Sequence, residues 1–161
     1  MKIRGKINLL VCVMGAVALL IGATALSAMH EYSRNLTAYE HAASRAYAGE
    51  RLNRFVTAVV MESRGIYAAK TIKDTPNFAK GLMAGLDEID KVISGWAPLV
   101  PESQKADFAK LVARAAEFRT FRTETARLGT EVGPEAAGQQ GNNDANRANR
   151  KAFQAEIDAV V

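Results

Sequence analysis

The chain predicts an all-α protein: an N-terminal transmembrane helix that continues into an up-down antiparallel four-helix bundle, with the fourth helix truncated. Three observations carry this expectation. Only four of the 161 residues are proline and the first is Pro76, so nothing before it obliges a helix to break. Residues 8–28 contain no charged side chain. Beyond them, apolar residues recur every three or four positions, the period of a helix and not of a strand. The same scarcity of Pro and Gly disfavours turn-rich all-β folds.

Residues 1–7 form a basic leader carrying Lys2, Arg4 and Lys6. Residues 8–28 read NLLVCVMGAVALLIGATALSA, which as a helix spans roughly 31 Å, one bilayer crossing. A cleaved signal peptide is the competing reading, since Ala23-Thr24-Ala25 resembles a small-residue cleavage site. The run exceeds the about 7 to 15 residues of a signal-peptide core, which favours an uncleaved anchor. The basic leader then keeps residues 1–7 in the cytoplasm and puts residues 29–161 in the periplasm, with the inner membrane between them. Gly15, Ala18, Gly22 and Ala25 share one face of the span and permit close helix approach, although such residues are common in membrane helices.

The first extramembrane helix is expected from about His30 to Lys73, roughly 66 Å long, with Leu52, Phe55, Val56, Val59, Ile66 and Ala69 on its apolar stripe. Asp74-Thr75-Pro76 combines capping residues with proline at a helix start. The second helix follows, marked by Phe78, Leu82, Leu86, Ile89, Ile93 and Trp96. Pro98 and Pro101 bracket a connection, after which Phe108, Leu111, Val112, Ala115 and Phe118 mark a third helix running to about Leu128. Gly129, Gly133, Pro134, Gly138 and Gly141 predict a long loop. The fourth helix starts near Asn143 or Asp144 and carries Phe153, Ile157 and Val160. It is much shorter than the first, so Val161 is expected to be an interior point of a longer protein. Met61 and Met83 fit core stripes. The incompletely faced first helix is expected to form a homodimer through Leu52, Phe55 and Val59.

Several chemistries are excluded. The formal charge is +4, from 21 Lys and Arg against 17 Asp and Glu, but the leader supplies three of the cations, and near-balance elsewhere gives no basic face for nucleic acid. A single cysteine, Cys12, leaves no disulfide, Cys-rich zinc site or haem motif. His30 and His41 lie about 16 Å apart along a helix, too far to share a metal, and Glu40 beside His41 is a solvated neighbour. No phosphate loop, nucleophile elbow or paired-carboxylate site is visible. No enzyme activity, catalytic residue, cofactor or metal is expected.

Polar groups on core stripes are the candidate ligand-binding residues. On the third helix, Arg119 and Arg122 follow Ala115 by four and seven positions. On the fourth, Asn146 and Arg150 precede Phe153 on its seam. Arg64 and Tyr67 on the first helix reach the same, membrane-distal level. Glu62 is the one candidate acid there, so an internal salt-bridge layer with Arg119 or Arg122 is the structural alternative. Four arginines against one acid invite a small anionic guest such as a carboxylate, which the guanidinium fork matches in two bonds.

The basic leader, uncleaved crossing, long emergent helix, hairpin and descending fourth helix together resemble the periplasmic four-helix-bundle sensor of methyl-accepting chemotaxis proteins. Residues 133–153, GPEAAGQQGNNDANRANRKAF, further resemble the loop and fourth-helix start of such sensors in α-proteobacteria. The resemblance implies a ligand-sensing input domain for chemotaxis. It also implies an absent cytoplasmic part that would act on a histidine kinase through a coupling protein. Dicarboxylate-binding members use first-helix arginines and fourth-helix polar groups across a dimer interface, parts that Arg64 and Arg150 are placed to play. The alternatives are a dimeric membrane-anchored stalk, or the input domain of a sensor kinase or cyclase, without small-molecule binding.

Overall fold

A computed structural model describes residues 3–161; of the basic leader, Lys2 lies outside the described residues. The described residues are helical, with no strand among them. In order they form α1 (Ile3–Ala68), a 3-10 turn (Ile72–Asp74), α2 (Pro76–Trp96), two further 3-10 turns (Ala97–Leu99 and Glu102–Gln104), α3 (Lys105–Glu131), α4 (Pro134–Gly141) and α5 (Asp144–Val160). Contacts divide the chain into two units, one up to His41 and one from Ala42 to Val161.

The first unit is a single stretch of α1. Its apolar side chains, Leu10, Val13, Leu19 and Leu26 among them, are exposed, and the helix is long and apolar enough to cross a membrane. Thr24 bonds back to the carbonyls of Leu20 and Ile21, which satisfies its hydroxyl without water.

In the second unit, α1, α2, α3 and α5 share one core. Leu52, Val56, Val59 and Ile66 of α1 are buried there, and Ser63 fills the gap in their line by donating to the Val59 carbonyl at 2.8 Å. Leu52 and Val59 are therefore covered within one chain and offer no seam to a partner, which corrects the expected dimer surface. Phe55 is only partly buried, with Arg51 and Arg54 over its ring. Met61 is exposed where a core position was expected.

Helix α1 ends at Ala68, short of the expected Lys73. Thr71 is extended, and both its amide and its hydroxyl donate to the Asp74 carboxylate, at 3.1 and 2.9 Å. This local pairing offers the backbone an alternative to another helical turn. Pro76 then occupies the start of α2. Buried Thr75 shares its hydroxyl between the carbonyls of Ile72 and Gly129, tying the turn to α3.

Helix α2 buries Leu82, Leu86, Ile89, Ile93 and Trp96 as expected, while Phe78 sits at the rim against Gly65. Trp96 meets Phe108 edge to face at 5.6 Å across the hairpin. Along α3 the buried line runs Phe108, Leu111, Ala115, Phe118, Arg122, Thr125 and Gly129, an alternation of three and four. Val112 falls off that line and is exposed. Helix α5 packs back against α3 through Phe153, whose ring lies 5.4 Å from Phe118, and buries Ile157 and Val160. Gln154 donates to Asn53 at 2.7 Å and so joins α5 to α1. Each fully buried Leu, Ile or Phe contributes about 1.5–3 kcal/mol.

The expected loop from Gly129 to Gly141 is not a loop. Helix α3 continues to Glu131, and only Gly133 breaks the chain, with φ of 143°. Its amide and that of Val132 both donate to the Leu128 carbonyl. Pro134 opens α4 at once. Gly129 is needed for packing: a β-carbon there would overlap Ile66. The fourth expected helix begins where expected, with the Asn143 side chain accepting from the Asn146 amide at 2.8 Å.

Candidate functional site

The site is built on Arg122, placed on the buried line of α3 by the same spacing that seats Phe118 and Thr125. Its side chain is 4% exposed. The guanidinium lies over the Phe118 ring, 5.2 Å from the centroid. Its Nη1 reaches Ser63 Oγ at 3.4 Å and Tyr67 Oη at 3.3 Å, both on α1, and Nε has no partner. These contacts are long and their acceptors neutral, so the buried charge has no carboxylate against it. Burial lowers the Arg122 pKa from the ordinary arginine value; the Tyr67 hydroxyl works against this and the nearby Arg150 cation adds to it.

Arg122 lines a cavity of about 180 Å³. Arg64 and Tyr67 of α1 form one wall, and Arg147, Arg150 and Lys151 of α5 form another. Val60, Gly141 and Asn142 complete the lining, which contains no acid. Arg147 is neutralised by Asp144 and also donates to the Asn142 carbonyl. Arg64, Arg150 and Lys151 have no ion pair among the described residues. Arg64 and Arg150 are exposed, whereas Arg122 is buried, so the cations extend from solvent into the protein.

Helix α4 sets the shape of this cavity. Its last residue, Gly141, leaves the space that the Tyr67 hydroxyl occupies, and a β-carbon there would overlap it. Gln140 holds α4 to α3 by accepting from Thr125 at 2.6 Å and donating to the Phe121 carbonyl at 3.1 Å. Buried Asn146 donates to the Gln140 carbonyl at 3.0 Å and fastens the start of α5.

Of the six residues singled out by sequence, Arg64, Tyr67, Arg122 and Arg150 come together around the cavity. Asn146 supports the α4–α5 junction and is not among the lining residues. Arg119 lies elsewhere. The buried line turns from Ala115 to Phe118 and Arg122, which leaves Arg119 beside α2, paired with Asp87 and Asp90 at 2.7 Å each. The Asp87 hydrogen bond raises its pKa. Glu62 packs beside Gly81 of α2 and pairs with neither Arg119 nor Arg122. The salt-bridge layer expected from Glu62 is absent among the described residues.

Arg147 and Lys151 were missed by sequence. Arg147 stands three before Arg150 and four before Lys151, so it neighbours both on the helical surface. The signal for them is the basic line Arg147, Arg150 and Lys151 that runs beside the apolar seam of α5. Comparison of the chain with family models, curated proteins and solved structures gives no match.

Proposed function

We propose that the chain is the ligand-sensing input segment of a membrane-anchored chemoreceptor, responsive to a small anion. The observation that carries the reading is Arg122: a buried guanidinium without a carboxylate, at the edge of a cation-lined cavity that holds no acid. A buried charge left unpaired disfavours the folded state, and an anionic guest relieves it. In this reading α1 from Ala42 to Ala68 together with α2, α3 and α5 makes an up-down four-helix bundle, and α4 is a short insertion that shapes its binding end. The apolar part of α1 supports an inner-membrane anchor, with residues 1–7 in the cytoplasm and residues 29–161 in the periplasm.

The assignment to chemotaxis rests on the resemblance carried by the GNNDANR segment and by the helix order. A histidine kinase and coupling protein are the partners it implies. Homodimerisation is proposed along α1 before His41, where Met29, Tyr32, Leu36 and Tyr39 are exposed at spacings of three, four and three.

The test is a chimera carrying this segment on the cytoplasmic half of a characterised chemoreceptor, in cells with no other receptor. A swimming response to small organic acids that disappears in Arg122→Gln is the expected result. A chimera that reaches the membrane and dimerises, yet responds to none of them, supports the passive stalk instead.

A further inference from the structure

Helix α4, with the sequence PEAAGQQG, has little apolar surface with which to hold itself to the bundle. Only Ala137 and Gly141 are buried, so the methyl group of Ala137 is its contribution to the core. What fastens it is polar and centred on Gln140. The Gln140 side chain accepts from Thr125 at 2.6 Å and donates to the Phe121 carbonyl at 3.1 Å, while its backbone carbonyl accepts from Asn146 at 3.0 Å. Eight residues are too few for a helix to persist without tertiary support. Gly133, with φ of 143°, and Asn142 bound it as points where the chain already turns. Such a segment belongs to the low end of local stability.

The place that α4 fills bears directly on Arg122. Gly141 lies against the Tyr67 hydroxyl that accepts from Arg122, and Gly138 lies along the same ring. Gly141 and Asn142 line the cationic cavity, whereas Pro134, Glu135 and Gln139 line a second, wider groove of about 830 Å³ beside the turn that follows α1. Tyr67 lines both, so Tyr67 and α4 stand between the two spaces.

We propose that α4 is a gate: it undocks from α3 as a unit while the other helices stay folded, and its opening joins the two spaces and gives solutes a second route to Arg122. The Gln140 contacts set how often it opens. The gate does not depend on the identity of any guest of the cavity.

Hydrogen exchange followed by mass spectrometry on the full chain in lipid nanodiscs tests this. The amides of α4 are expected to exchange at least about a hundredfold faster than those at the centres of α3 and α5. Gln140→Ala should speed α4 by about tenfold more, as the loss of its two side-chain hydrogen bonds implies, and leave α3 and α5 unchanged. Thr125→Val, which removes one of the same bonds from the α3 side, should act in the same direction and more weakly. Access to Arg122 is read from Ser63→Cys, at a buried contact of the guanidinium, with Cys12 replaced by serine. Its labelling by a small thiol reagent should rise in step with α4 exchange when Gln140→Ala is added.

Exchange of α4 at the rate of α3, or a rise spread evenly over all helices in both variants, would overturn the local opening. Labelling that stays constant while α4 exchange rises would overturn the control of access to Arg122. Neither result bears on the anion-sensing reading, which the chimera tests separately.

Discussion

Arg122 of α3 meets Tyr67 of α1 at 3.3 Å, and Tyr67 holds that position because Gly141 has no side chain. Helices α1 and α3 thus meet at one guanidinium whose hydrogen-bond partners are uncharged, and α4 makes room for the tyrosine between them. The relationship sets the first expectations.

Arg122→Met should stabilise the unliganded chain by about 1 kcal/mol or more, since replacing a buried charge by an apolar side chain of similar length is often favourable. The Arg122 pKa is lower in the folded state than in the unfolded one. Its penalty is therefore fully present below the folded pKa and fades only as pH rises through that value toward the unfolded one. An arginine side chain stays protonated in proteins across the neutral range, so the gain should be constant there. Denaturant melts in micelles at several pH values check this; a less stable variant would return Arg122 to a structural role.

Gly141→Ala should lower stability by about 1–3 kcal/mol through overpacking and push the Tyr67 ring off Arg122. In a Tyr67→Ala background the same change should be nearly neutral, because the overlapping group is gone. A double-mutant cycle by thermal denaturation measures the coupling.

Arg119→Ala should behave quite differently from Arg122 variants. Its ion pairs with Asp87 and Asp90 join a partly covered guanidinium to carboxylates more than half exposed to solvent, and such pairs contribute about 0–1 kcal/mol. Stability should fall slightly, more at low salt than at high, while carboxylate affinity stays unchanged. A loss of binding comparable with that of Arg122→Gln would contradict its placement outside the cavity.

Cysteine cross-linking in membranes separates the two surfaces of α1. With Cys12 replaced by serine, Leu36→Cys should join two copies, whereas Leu52→Cys should not, since Leu52 is covered within its own chain. A periplasmic reporter fused after Val161 should be active and a cytoplasmic one inactive. Cytoplasmic activity would reverse the orientation.

The apolar seams of α2 from Leu82 to Trp96 and of α5 from Phe153 to Val160 were legible in sequence, but the step back from Phe153 led to Arg150, which is exposed, where the structure buries Asn149 four positions before Phe153. The seam of α3 was read partly along the wrong line. From Ala115 a step of four reaches Arg119, and over one turn that is as good as the step of three to Phe118. Only over five turns does the alternation that includes Arg122 and excludes Arg119 and Val112 become distinct. The glycine-rich stretch was misread for another reason: among Gly129, Gly133 and Gly141, one glycine supplies a backbone angle and two supply room for side chains of α1. Those contacts join positions 63 and 74 residues apart in the chain, from Ile66 to Gly129 and from Tyr67 to Gly141, and no local pattern announces them.

The gradation from exposed Arg64 and Arg150 to buried Arg122 has a kinetic consequence. Cations in solvent act at a distance on an approaching anion and speed its encounter, an effect that ionic strength suppresses. Contacts made only after water has left govern how long the anion stays. For the proposed anion, arrival thus belongs to the rim and dwell time to the interior, so substitutions at Arg64 should alter the salt dependence of association, while those at Arg122 should set the rate of release.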